Sequence, residues 1–193
     1  MTNIEKLISD SNFKHSRKVA QISRIVASNA GFTEDEVSII EQAALLHDVG
    51  KASIPSQILN KPDVLTPAEF EIVKAHAAAG YSQIMEAVKV LNISASVAKE
   101  HHEKLDGSGY HKMQGHNISP YARLISIVDV FDALLSKRVY KESWDVTSVI
   151  QYLTVHDNHF DRIIVNCLVS VIGQILILYS PNAMVNCAKS EGA

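Results

Sequence analysis

Apolar side chains recur at helical spacing along most of the chain, and the elements they predict are helices. Over residues 14–30, Val19, Ile22, Ile25 and Val26 form one stripe, and Gly31 stands where such a helix stops. Thr33 opens TEDE, a capping box with Glu36 three residues on, before a helix through Val37, Ile40, Ala44 and Leu45 to His47. Pro55 and Pro62 mark a loop. Thr66, Pro67 and Glu69 make a second capping box, with proline in the first turn of a helix that carries Phe70, Val73 and His76 to about residue 90. Ser94 is expected to cap a helix reaching His101 and His102, and Ser119-Pro120 to open one through Leu124, Ile127, Val128 and Phe131. Helices over 143–153 and 160–178 complete the set. No alternating run is long enough for a strand, and there is no internal repeat. The fold class expected is all-α, a helical bundle over residues 14–180, with an extension at 1–13 and a frayed tail at 181–193.

Composition narrows the function. Hydrophobic residues are 47% and charged residues 20% of 193, so the chain can bury a core without disulfide staples and is not a disordered one. A net charge of −3 argues against a duplex nucleic-acid partner but leaves room for a local basic pocket. Cys167 and Cys187 form no metal or redox motif and suit a reducing compartment. The first ten residues, MTNIEKLISD, lack the apolar region of a signal peptide, so a cytoplasmic location is expected. The most apolar stretch, 163–179, contains Asn166 and Gln174 and is expected to be a core or homodimer helix, not a membrane span.

The histidines change the picture. His47 and Asp48 end an apolar helix in LLHDVGK, while His15, His76, His101, His102 and Asp129 each fall on or at the end of a predicted helix. Any one histidine is commonly a satisfied core residue, but seven imidazole and carboxylate groups exceed what one ion needs. Adjacent helical residues point about 100° apart. His101 and His102 can therefore serve different metals, with a carboxylate such as Asp48 bridging them. Asp129 lies within LISIVDVFDALL, where an unpaired carboxylate would be costly. A two-metal site activates a bridging water and stabilises the leaving oxygen in phosphoester hydrolysis. His111, His116, His156 and His159 lie in polar stretches and are read as surface or loop residues. DGSGY, residues 106–110, allows a tight loop with exposed backbone amides.

Taken in order, HDVGK, HAAAG, HHEKLDGSGYH and VDVFDALLSKRVYKE resemble the HD-GYP domain, a subfamily of the HD superfamily of metal-dependent phosphohydrolases. The resemblance runs from His15 to near Tyr179. It implies an all-helical fold, a multinuclear site often holding iron or manganese, and hydrolysis of cyclic di-GMP, with linear pGpG as first product and either pGpG or GMP as the final one. It implies His15, His47, Asp48, His76, His101, His102 and Asp129 as metal ligands, with Asp48 bridging and also catalytic. It further implies Lys51 on the scissile phosphate, and Tyr110, Arg138 and Lys141 on the substrate. Those cations would supply positive charge for two phosphates in an otherwise acidic chain. Asp132 and Glu103 are candidates to orient ligand imidazoles.

Two departures bear on this reading. His111 stands where the proline of GYP belongs, which puts the loop geometry in question. Members with a third metal carry a glutamate four residues before the first histidine, and Ser11 stands there, so two divalent ions are expected, Fe or Mn first and Zn or Ni as alternatives that imidazole-rich sites also accept. About a dozen residues precede His15, too few for a sensor domain, so regulation is expected from a separate protein, from dimerisation, or from metal and redox state. Two other readings stay open: hydrolysis of another cyclic dinucleotide or nucleotide, and a weakly active interaction module.

Overall fold

The structure is a computed structural model, and it describes residues 13–87, 92–136 and 143–179. Among these residues the helices are α1 (Phe13–Asn29), α2 (Glu34–Leu46), α3 (Ser56–Leu59), α4 (Pro67–Ala87), α5 (Asn92–Glu100), α6 (Pro120–Leu135), α7 (Val146–Val155), α8 (Arg162–Ser170) and α9 (Ile172–Ile177). Two 3-10 turns, Val49–Ser53 and Gly115–Asn117, complete the regular structure, and no strand occurs among the described residues. The all-α expectation therefore holds.

Local chemistry accounts for most helix starts. Thr33 caps α2 with a reciprocal box: its hydroxyl accepts from the Glu36 amide, and the Glu36 carboxylate accepts from the Thr33 amide at 2.9 Å. Thr66 and Glu69 repeat the device at α4, where Lys61 adds an ammonium 2.7 Å from the Glu69 carboxylate. Those bonds hold the Glu69 carboxyl at about 2, chiefly through Lys61 and the Thr66 amide. A carboxylate lowered from its ordinary value adds stability that is complete above about 4.5 and fades as pH falls toward 2. Glu69→Gln is therefore expected to lower Tm at pH 7. The gap to wild type should narrow as melting is repeated from pH 5 to pH 3, and a constant gap would disprove the assignment.

Three boundaries differ from the pattern-based expectation. Ser94 is buried inside α5, which starts at Asn92. Helix α7 begins after Asp145, whose carboxylate accepts from the Ser148 amide at 3.0 Å, so 143–145 stay outside it. The stretch 160–178 is two helices, not one: Asp161 caps α8, and the chain breaks at Val171 before α9. No helix among the described residues is long and apolar enough to cross a membrane. The apolar side of that stretch is spent on the chain's own core, since Ile164, Val165, Leu168, Val171 and Ile175 are buried.

Helix α1 packs on α2 and α6, α2 on α5, and α5 on α4. The main core gathers Val19, Ile22 and Val26 of α1, Val37 and Ile40 of α2, and Leu124, Ile127 and Phe131 of α6. It extends to Val149 and Leu153 of α7, Leu168 of α8 and Ile175 of α9. Each such large side chain contributes about 1.5–3 kcal/mol on burial. A smaller cluster of Leu46, Ile84, Ala95 and Ala98 ties α2, α4 and α5 together. Leu46 precedes His47 and Ala98 lies one turn before His101, so this cluster fixes the backbone that carries both histidines.

Candidate metal centre

Seven side chains separated by up to 114 residues meet between α1, α2, α4, α5 and α6. His15 comes from α1, His47 and Asp48 from the end of α2, His76 from α4, His101 and His102 from just past α5, and Asp129 from α6. His47, Asp48, His76 and His101 are buried, and His15, His102 and Asp129 partly so. They form two groups that share Asp48. In one, Asp48, His76, His101 and His102 bring ligand atoms within 4.8 Å of one another; in the other, His15, His47 and Asp48 do so. The paired histidines therefore share one group and do not divide between two metals as their helical offset suggests, because the two rings lie 4.0 Å apart just past the end of α5. Asp48 Oδ1 lies 3.5 Å from His76 Nε2 and 3.6 Å from His101 Nε2, while its Oδ2 lies 3.4 Å from His47 Nε2. Asp129 Oδ1 is 2.9 Å from His15 Nε2 and 3.8 Å from His47 Nε2.

Backbone carbonyls decide which ring nitrogen is available. His47 Nδ1 donates to the Ala44 carbonyl at 2.7 Å, His76 Nδ1 to Val73 at 2.6 Å, and His101 Nδ1 to Ala98 at 3.0 Å. A carbonyl only accepts, so each ring, when neutral, carries its proton on Nδ1 and presents the Nε2 lone pair. His76 Nε2 and His101 Nε2 face each other at 3.4 Å, two acceptors with no donor between them. His47 Nε2 and Asp48 Oδ1 are buried with no hydrogen-bond partner. Leaving such atoms unpaired costs about 1–3 kcal/mol each. A set of converging, unsatisfied nitrogen and oxygen lone pairs is what a divalent transition metal neutralises, so the residues present fit such an ion.

The electrostatics divide the set. Burial opposes charge on His47, but the carboxylates of Asp48 and Asp129 outweigh it and raise the ring above its ordinary value, so a cation there would displace a proton. Burial and the neighbouring His101 push His76 down to about 4 and His102 well below its ordinary range, which keeps both neutral as ligands must be. Burial also opposes charge on His15, but the carboxylates of Asp129 and Asp132 overcome it and hold the ring at about 9. A proton on Nε2 joins His15 to Asp129, and a divalent cation would compete for that place. Burial works against charge on Asp48 too, yet His47 and Lys51 keep its carboxyl well below the usual range. The Lys51 ammonium, carried by the 3-10 turn, donates directly to Asp48 Oδ2.

A family profile described as HD domain matches residues 3–164. The chain belongs to the HD domain family. The HD-GYP resemblance read from its motifs stands beside curated relatives of the same kind. The chain is 41% identical over 138 residues to the cyclic di-GMP phosphodiesterase response regulator RpfG of Xanthomonas campestris, covering 70% of this chain and 36% of that protein. It is 39% identical over 130 residues to a cyclic di-GMP phosphodiesterase of Thermotoga maritima, covering 66% and 35%. It is 36% identical over 157 residues to 3'3'-cGAMP-specific phosphodiesterase 2 of Vibrio cholerae, covering 80% and 30%. The chain thus spans about a third of the length of these relatives. Among solved structures, Bd1817, an HDG"Y"P protein from Bdellovibrio bacteriovorus, superposes with a TM-score of 0.70 at 18% identity, over 88% of this chain and 60% of that one. The PgpH HD domain of L. monocytogenes in complex with cyclic-di-AMP gives 0.64 at 16%, over 90% and 96%. At these identities the superpositions speak for the fold.

In this HD domain the loop after the paired histidines is held in an unexpected way. Tyr110 stacks on His102, ring centroids 4.5 Å apart, and so lies against the cluster; burial pushes its hydroxyl up to about 12. Glu103 orients no imidazole. Its buried carboxylate instead accepts from the amides of His111 at 2.7 Å and Met113 at 2.8 Å. Gly109 passes so close that a Cβ there would lie 2.5 Å from Glu103 Cα. The departure at position 111 now has a physical meaning, because proline has no N–H to give Glu103. Restoring the family's residue with His111→Pro is expected to destabilise the protein by about 1–3 kcal/mol through a buried acceptor left short of a partner. Urea unfolding reads this, and an unchanged midpoint would refute it. Arg138 and Lys141 lie outside the described residues.

One participant had no signal in the motif spacing. Tyr179, past the end of α9, donates its hydroxyl to Asp132 Oδ1 at 2.6 Å, and Asp132 Oδ2 accepts from His15 Nδ1 at 2.6 Å. Asp132 does orient a histidine, as its position suggested.

Proposed function

We propose that this HD domain is a metal-dependent cyclic di-GMP phosphodiesterase, opening the cyclic dinucleotide to linear pGpG, with pGpG or GMP as the final product. The observation that carries the reading is Asp48: one buried carboxylate that turns one oxygen to His76 and His101 and the other to His47. That arrangement supports two ions, Fe or Mn, sharing Asp48. One would be held by His76, His101 and His102, the other by His15, His47 and Asp129. Such a pair supplies an activated water and offsets charge on the attacking and leaving oxygens.

The chain's own residues do the rest. Asp48, buried between the two histidine sets, keeps them at a fixed spacing. Lys51 keeps its side chain partly exposed beside Asp48, within reach of a phosphoryl oxygen whose charge grows in the transition state. Tyr110, stacked on the His102 ring, would meet a nucleotide bound beside the centre. Arg138 and Lys141 are proposed, from their motif, to grip the substrate's phosphate and guanine side. The named activities of the relatives support a cyclic dinucleotide substrate, and the V. cholerae relative favours a mixed cyclic GMP–AMP as the second reading.

The test is anaerobic purification, metal analysis, and chromatography after incubation with cyclic di-GMP, 3'3'-cGAMP and cyclic-di-AMP in parallel. The expected result is about two Fe or Mn per chain with pGpG or GMP released fastest from cyclic di-GMP. Faster loss of 3'3'-cGAMP would move the assignment to the mixed dinucleotide. Chain without metal and without turnover would overturn the enzymatic reading.

A further inference from the structure

We propose that Tyr179 is a positioning residue of the metal centre, acting through Asp132 on His15. The inference rests on the metal-centre reading and deepens it by adding a residue beyond the stretch that the HD domain profile matches.

The geometry is a linear chain of contacts. Tyr179 Oη donates to Asp132 Oδ1 at 2.6 Å, Asp132 Oδ2 accepts from His15 Nδ1 at 2.6 Å, and His15 Nε2 faces Asp129 Oδ1 at 2.9 Å. Asp132 is 1% exposed, so its two oxygens must be satisfied by protein. Both short bonds are charge-assisted, the strong kind. The Ser136 hydroxyl also donates to Oδ1, at 3.2 Å, but the tyrosine bond is the shorter, and it fixes the rotation of the carboxylate with Oδ2 in line with the imidazole. The Oδ2 bond keeps a proton on Nδ1 and aims Nε2 at the centre, where a bound cation would take the place of the Nε2 proton; carboxylates behind metal-bound histidines perform this service.

The tyrosine is itself held. Lys18, one turn along α1 from His15, places its ammonium 4.2 Å from the centre of the Tyr179 ring and 3.7 Å from Asp132 Oδ1. Phe131 meets the same ring edge-on at 6.4 Å. A plain packing role would need only the ring. The hydroxyl is what reaches the carboxylate, so Tyr179→Phe separates the two: it keeps the ring contacts and removes the bond.

The experiment follows metal loss from the full chain to a chromophoric chelator, with wild type, Tyr179→Phe, Asp132→Asn and the double variant. Tyr179→Phe is expected to release one of the two ions about tenfold faster, within the 10–100-fold range for residues behind a ligand, with its unfolding midpoint nearly unchanged. Asp132→Asn should release it faster still, and the double variant should match Asp132→Asn, because the tyrosine acts only through that carboxylate. Metal loss at the wild-type rate in Tyr179→Phe overturns the proposal while leaving the enzyme reading intact. So does a double variant whose effects multiply. A wild-type chain that holds no metal removes both at once.

Discussion

Asp48→Asn is expected to cut cyclic dinucleotide hydrolysis by about a thousandfold or more, while the helices remain folded. The substitution changes one oxygen into an NH2 and removes one negative charge; size and shape hardly alter. Its effect depends on which way the amide settles, and both ways damage the site. With the NH2 in place of Oδ2, it meets the Lys51 ammonium, donor against donor. With the NH2 in place of Oδ1, it donates into the lone pairs of His76 and His101, which then cannot bind an ion. That second arrangement satisfies nitrogens that are otherwise unpartnered, so the metal-free variant should fold at least as well as metal-free wild type. Activity loss therefore comes from chemistry, not from collapse. Each tenfold in rate is 1.36 kcal/mol, and a two-ion clamp is worth several kcal/mol, which sets the thousandfold scale. Metal content per chain, circular dichroism and product chromatography together make the check. A variant that keeps two ions and turns over within tenfold of wild type would show that Asp48 does not bridge.

The ease of reading this site from the sequence varied with how local each feature is. The capping boxes at Thr33 and Thr66 lie within four residues, and both form as their spacing predicts. The ligand candidates were legible for another reason: histidines and aspartates on apolar helix faces are expensive there, so they need a partner that the neighbouring sequence does not offer. What stayed hidden depends on contacts across the chain. Asp132 is legible as a carboxylate that orients an imidazole, but not which one: His15 lies 117 residues away, and nothing in either segment names the other. Tyr179 reads in sequence as the end of an apolar run, because its hydroxyl partner on α6 lies 47 residues away. The break at Val171 was masked by apolar residues that continue in helical register through it. Glu103 was misread for the opposite reason. It adjoins His102, which suggested service to an imidazole, yet its carboxylate turns toward the loop amides.

Among the described glycines, Gly50→Ala should be the most damaging substitution, because the turn bearing Asp48 and Lys51 lies directly against the backbone of α4. A Cβ at Gly50 would stand 2.0 Å from the His76 carbonyl oxygen and 2.5 Å from the Gly80 nitrogen. Both are main-chain atoms of a helix interior, so no side-chain rotation relieves the clash. Gly80 makes the approach possible from the other side, where an added Cβ would lie 3.3 Å from Gly50 N. Ordinary overpacking costs about 1–3 kcal/mol, and a rigid overlap this deep should exceed that range. The alternative to unfolding is that the 49–53 turn lifts off α4. Asp48 would then draw away from His76, and the two histidine sets would lose their shared carboxylate. Stability and metal retention should thus fall together, unlike in Asp48→Asn, where only the second falls. Gly173→Ala is the matched control: it lies in α9 with nothing within 4 Å of its Cβ. There the same methyl should add about 0.5–1 kcal/mol by restricting the unfolded chain and favouring the helix. Urea midpoints of the three proteins, read with and without a chelator, decide the matter. A Gly50→Ala protein as stable as wild type would mean that the turn and α4 are not packed as the structure places them.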